Sequence, residues 1–110
     1  NLKAQTYLSE HERGSVRLYL EPYGLIEEQE DYPLVQIRHF CDIGQILRLE
    51  SDNAFILKER HYGKLHLYYH EHLDRIIENI RSMASENIGV NIGVDSISLP
   101  MFFAERYGAF

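Results

Sequence analysis

The stretch that most constrains this chain is residues 54–88, where two strand-like runs feed directly into a long amphipathic helix. Ala54-Phe55-Ile56-Leu57-Lys58 and Lys64-Leu65-His66-Leu67-Tyr68-Tyr69 are short, aromatic and aliphatic, and a turn around Gly63 lies between them. That is the pattern of a β-hairpin. From Glu71 the apolar period lengthens. Leu73, Ile76, Ile77, Ile80, Met83, Ala84 and Ile88 fall on one helical face, while Asp74, Arg75, Glu78, Arg81, Ser82 and Ser85 occupy the other. A helix divided in this way needs an apolar surface to cover, and the strands before it provide one.

Those strands continue upstream. Val16, Leu18 and Leu20 alternate with Arg17, Tyr19 and Glu21, as in a strand with one buried face. Pro22-Tyr23-Gly24 turns the chain, and Leu25 to Gln29 returns it. Glu30-Asp31-Tyr32-Pro33 is the next turn, because Pro33 has no N–H to give a central ladder. Leu34 to Phe40 and Gln45 to Glu50 follow, and Ser51-Asp52-Asn53 is a polar turn into the hairpin. Ala4 to Ser9 can supply a first strand. About seven strands then precede the helix on short connections, which predicts an antiparallel meander. A bent antiparallel sheet plugged by a C-terminal helix, α+β but mainly β, is the plan of a pleckstrin-homology-like domain. Its expected core sets Leu73, Ile76, Ile77, Ile80 and Met83 against Leu18, Leu20, Ile37, Leu49, Leu57 and Leu67.

The helix is expected over about Glu71–Asn87, with Glu71 and Asp74 near the positive end of its dipole and Asn87 and Gly89 as the stop. Gly89-Val-Asn-Ile-Gly-Val94 is too glycine-rich for a helix and reads as a short extended segment. Beyond it, Ser98 is a cap candidate and Pro100 fits a first helical turn. Met101, Phe102, Phe103, Tyr107 and Phe110 are more large apolar side chains than a solvated linker carries. The chain therefore divides into a domain over 1–94 and a short helical extension over 95–110 packed on it.

A length of 110 residues and 45% hydrophobic content suit one domain with one modest core. Asn1 is not an initiator methionine, so the chain reads as a domain cut from a longer protein. No apolar run reaches the roughly 20 residues that cross a bilayer, and the start does not have the pattern of a signal peptide. Cys41 is the single cysteine, which fits a reducing cytoplasmic setting. Beside Phe40 and Ile43 it reads as a small buried apolar residue. With 17 acidic against 11 basic residues, the net charge of −6 opposes nucleic-acid binding and bulk attraction to anionic membranes.

Catalytic and metal constellations do not assemble. His61, His66, His70 and His72 crowd together, but metal ligands must converge in one pocket. His66 shares a strand face with Tyr68, whereas His70 and His72 diverge at the helix start, so all four read as solvated surface residues. No glycine-flanked nucleophile elbow and no phosphate-cradling glycine loop occurs. Glu27-Glu28 and Glu30-Asp31 read as solvated turn charges. The expected protein is not an enzyme and needs no cofactor.

Pleckstrin-homology-like domains bind proteins or lipid headgroups. Lipid-binding examples gather basic residues on the first two strands and the loop between them, where rigid donors hold ring phosphates. Here Lys3, Arg13 and Arg17 are the candidates, but Tyr19 stands where a second arginine of an Arg-x-Arg pattern would fall. Glu10 and Glu12 also oppose a multiply charged headgroup. A phosphoinositide-binding, membrane-targeting domain is thus the alternative to a protein-interaction module.

Gly63-Lys-Leu-His-Leu-Tyr, then Glu86-Asn-Ile-Gly89-Val-Asn-Ile, then Phe103-Ala-Glu-Arg-Tyr-Gly108 are similar to the N-terminal region of the large endosomal DnaJ-domain proteins of receptor-mediated endocytosis. The resemblance covers most of the chain, from Val16 to Tyr107, and rests on residues none of which is catalytic. It implies a peripheral place on early endosomes, protein transport, sorting and clathrin machinery as partners, and an Hsp70 system. It also implies a phosphatidylinositol 3-phosphate contact, which belongs to the family's most N-terminal module, whereas this sequence looks like a later one. No His-Pro-Asp triplet is present, so this segment cannot stimulate an Hsp70 ATPase as a J domain does.

Overall fold

A computed structural model describes residues 3–9, 13–29, 33–50 and 52–98, with side chains from Val16 onward. The first four strands, β1 (Lys3–Ser9), β2 (Arg13–Glu21), β3 (Gly24–Gln29) and β4 (Val35–His39), form one antiparallel sheet in chain order. A 3-10 turn over Phe40–Asp42 leads to β5 (Ile43–Leu49), β6 (Ala54–Glu59) and β7 (Leu65–Tyr69), which are antiparallel neighbours in a second sheet. Helix α1 (Leu73–Ile88) follows, and then β8 (Gly93–Ile97). All seven strands expected before the helix are present.

Turn chemistry explains the corners. Gly24 opens β3 where β4 comes so close that a Cβ would lie 2.6 Å from the Arg38 carbonyl oxygen, so no other residue fits without moving backbone. The helix starts at Leu73 rather than Glu71 because the His72 N–H donates to His70 Nδ1 at 2.9 Å, holding residues 70–72 in a local turn. It ends as expected at Gly89, whose positive φ of 67° lets its N–H reach back to Ala84 and Ser85 carbonyls.

After the helix, the extended segment expected beyond Gly89 becomes β8, which lies parallel to β5, with Ile46 opposite Val94 and Leu49 opposite Ile97. Parallel neighbours need a long crossover, and the β6–β7 hairpin plus α1 supplies it. The boundary drawn between residues 94 and 95 falls inside this strand, so residues 95–97 belong to the sheet and not to a helix. The remainder of the proposed helical extension, 99–110, lies outside the described residues.

The main core lies between the two sheets and α1. Leu73, Ile76, Ile77, Ile80 and Ala84 bury the helix's apolar face against a cluster that includes Leu18, Leu20, Leu25, Phe40, Ile46, Phe55 and Leu57. Met83 packs on its margin, and Ile88, the last residue of the helix, is exposed. Leu49 and Leu67 are buried, but not under the helix. With Leu47, Ala54, Ile56 and Ile97 they form a second cluster on the opposite face of the second sheet. Alternation along a strand makes this unavoidable: Leu67 sits between His66 and Tyr68, both of which point to the main core.

Ile37 is the clearest correction to the expected core, since it is 42% exposed. Ile37 aligns with Ile26, whereas Leu25, which is fully buried, aligns with Arg38. Residues aligned across an antiparallel pair share a face. Arg38, not Ile37, therefore points inward.

Candidate interaction surface

The inward Arg38 meets a partner prepared for it. Glu27, on β3, aligns with Leu18 and is turned into the core, only 1% exposed. It is not the solvated charge its sequence neighbourhood implies. Tyr68, from β7 of the other sheet, donates its hydroxyl to Glu27 Oε1 at 2.5 Å. Arg38 Nη2 donates to the same oxygen at 3.4 Å, and its Nε reaches the Tyr68 oxygen at 3.4 Å. Burial above all, and then the negative Glu27, push the Tyr68 phenol far above its usual range, so it stays a neutral donor. Burial also opposes the charge on Arg38, but Tyr68 and Glu27 outweigh it and hold the guanidinium above its ordinary value. Three polar groups from three strands thus close on one another in a low-dielectric seam, where an unpaired charge would cost several kcal/mol.

A second polar pair lies beside the first. His66 is buried, contrary to the expectation of a surface histidine, and its Nε2 lies 2.5 Å from Glu59 Oε2. The hydrogen bond from His66 is the main reason that the Glu59 carboxyl titrates below its ordinary range. A cavity of about 90 Å³ opens here, lined by Ile37, Arg38, His39, Asp42, Leu57 and His66 among others. Cys41, expected to be buried, is exposed; the 3-10 turn buries Phe40 and swings the thiol outward, with its Sγ 3.9 Å from an Asp42 carboxylate oxygen. Among the described residues no three His, Cys, Asp or Glu side chains gather as a metal site. The chemistry of the seam is structural: it ties the two sheets together.

The outward side of the same strand is different. Val35 and Ile37 are 50% and 42% exposed, and Leu34, just before the strand, is 63% exposed. Register places Ile37 beside Ile26 and Ile26 beside Tyr19, both half-buried, so an apolar row crosses three strands. At its end the Tyr23 and His39 rings are 5.9 Å apart. β4 is also the outer strand of its sheet, and among the described residues nothing pairs with its far edge. Sequence reasoning missed this patch because residues 34–40 carry apolar side chains at both parities, and only the inward demand of Arg38 decides between them.

The basic candidates do not converge. Lys3 aligns with Tyr19, and Arg13 aligns with Ser9 at the other end of the β1–β2 pair. Six residues of extended chain separate these positions, roughly 20 Å. Arg17 is exposed in mid-strand and aligned with Glu28, whose carboxylate opposes an anionic ligand. A broader polar hollow of about 280 Å³ lies along α1, lined by Glu78, Arg81, Ser82, Ser85, Glu86 and Asn91. Arg81 is engaged there, its Nε donating to the Ile92 carbonyl at 3.0 Å and tying the post-helix loop to α1.

No curated protein matches the chain. A family model described as the second domain of the DNAJ protein RME-8 matches residues 2–92, which contain both sheets up to β7, the helix and the start of the segment leading to β8.

Proposed function

Because this chain belongs to the family of RME-8 second domains of DNAJ proteins, we propose that it is a non-catalytic, pleckstrin-homology-like interaction module of an endosomal J-protein scaffold acting in endocytic trafficking. One observation carries the reading: Val35 and Ile37, with Leu34 just before them, are exposed apolar residues on an edge strand that has no partner on its outer side among the described residues. Exposed apolar patches of this kind mark contact sites, because water penalises them and an edge strand invites pairing. The polar residues with unusual environments, Glu27, Arg38, Tyr68, Glu59 and His66, are instead occupied with one another. On this reading the module's partners are proteins, among them neighbouring modules and sorting machinery, and membrane attachment comes from elsewhere in the scaffold. No described helix is long and apolar enough to cross a membrane.

Flotation with vesicles containing phosphatidylinositol 3-phosphate separates this function from lipid reading. The chain should remain in the unbound fraction, and Arg17→Ala should change nothing. Tight flotation that Arg17→Ala abolishes would transfer the function to the headgroup. In the full-length J-protein, replacing both Val35 and Ile37 by Lys should impair cargo sorting while leaving this chain's melting temperature unchanged.

A further inference from the structure

We infer that the outer edge of β4 receives an extended, cationic segment of a partner polypeptide, which adds to the first sheet as a fifth strand. The inference rests on the interaction-module reading and specifies the kind of partner.

Ladder geometry identifies the backbone groups on offer. The Phe40 N–H donates to the Tyr23 carbonyl at 3.0 Å, which makes that pair a hydrogen-bonded one. In an antiparallel ladder such pairs alternate with pairs whose groups point the other way. Stepping back along the β3–β4 register, Arg38 with Leu25 and Gln36 with Glu27 are then the bonded pairs. Val35 and Ile37 consequently direct their N–H and C=O groups to the open edge, and His39 its N–H, since its carbonyl caps the Phe40–Asp42 turn. The side chains of these same three residues stand on the outer face, where Val35 and Ile37 are half-exposed.

A strand laid along this edge would gain both kinds of contact at once. Its backbone would pair with Val35, Ile37 and His39, and every second side chain would lie against Val35 and Ile37. That geometry selects alternating apolar residues. Native proteins usually blunt exposed edges with lysine or with an inward-pointing charge; β4 has the inward charge, Arg38, but Glu27 pairs with it inside the seam, and its outward residues Val35, Ile37 and His39 include no lysine. Pro33, exposed just before the strand, limits the ladder to the five residues Val35–His39. The net charge of −6 favours a cationic segment and opposes a second copy of the same chain.

The test uses the whole chain and a displayed library of random peptides. Selected peptides should alternate apolar residues, carry net positive charge and slow amide exchange at Val35, Ile37 and His39. Two substitutions separate backbone pairing from simple apolar docking. Ile37→Pro keeps an apolar surface but removes the outward N–H, which β3 does not use; Ile37→Lys keeps the N–H but removes the apolar side chain. Each should weaken binding about tenfold, the loss expected for roughly 1.4 kcal/mol. If Ile37→Pro binds normally and only Ile37→Lys fails, strand addition is overturned while the interaction module stands. If neither matters, or no selected peptide depends on β4, both readings fall. Should the proline variant unfold, unchanged exchange at the three amides of the unmodified chain on peptide binding overturns the proposal by itself. Self-association of the chain that Ile37→Lys abolishes would replace the partner segment by a second copy and overturn it too.

Discussion

Glu27, Arg38 and Tyr68 concentrate the electrostatic risk of this domain in one place. A carboxylate with 1% exposure is tolerable only while its partners remain. Removing one partner of a buried ion pair leaves the other charge desolvated and unpaired, whereas replacing both by apolar groups of similar volume can be nearly neutral. Glu27→Leu is therefore expected to cost about 3–5 kcal/mol, and adding Arg38→Met should restore most of it. Urea unfolding of the two single variants and the double variant checks this; equal losses in single and double variants would show that the cluster does not act as a unit. The cluster was not legible in the sequence. Glu27 adjoins Glu28 and precedes an acidic turn, and nothing local distinguishes the carboxylate that faces inward. Tyr68, which selects it, is forty-one residues away along the chain.

At the scale of elements, α1 was the most legible. Its apolar residues recur at helical spacing, and the face they mark is the face that is buried. Ile80, fully buried, should cost about 2–5 kcal/mol when truncated to Ala. Ile88 lies on the same predicted stripe but is 40% exposed at the helix end, and Ile88→Ala should stay within about 0.5 kcal/mol. Thermal or chemical unfolding of the two variants distinguishes them, and similar losses would contradict the burial pattern. The strands were legible as strands but not always by face. β6 buries Ala54, Phe55, Ile56 and Leu57 in succession, because the second sheet is covered on both sides. A continuous apolar run identifies a two-sided strand without saying which cluster each residue joins.

For the molecule as a whole, acid should be destabilising, and the direction follows from two groups. Burial, with His72 next, lowers the pKa of His70 below 6.5, so its contribution is present above that value and is lost as pH falls. The Glu59 carboxyl is lowered below 4.5 chiefly by its hydrogen bond with His66, so its contribution is present above 4.5 and is lost as pH falls through the folded-state value. Unfolding midpoints in urea should therefore decline from about pH 6.5 downward, with a second loss beneath about pH 4.5. Glu59→Gln should flatten the lower limb alone. Limbs of equal slope in the two proteins would mean that the Glu59–His66 pair does not couple protonation to folding.

Local sequence determined the strands β1 to β7, the helix α1, their turns and the glycine that ends the helix. Each depends on interactions between residues close in the chain, such as side-chain periodicity, the missing N–H of Pro33 and the positive φ available to Gly89. Tertiary structure decided the rest. Period-two alternation offers each strand two faces and does not say which is inward; that choice at β4 was made by Glu27 and Tyr68, which need Arg38 inside. The same choice put Ile37 outside and left an apolar edge on the surface. Likewise a glycine-rich segment after α1 becomes β8 only because β5 has an open edge beside it. Such pairings form between residues distant in sequence, where the free energy belongs to the packed pair and no local pattern records it.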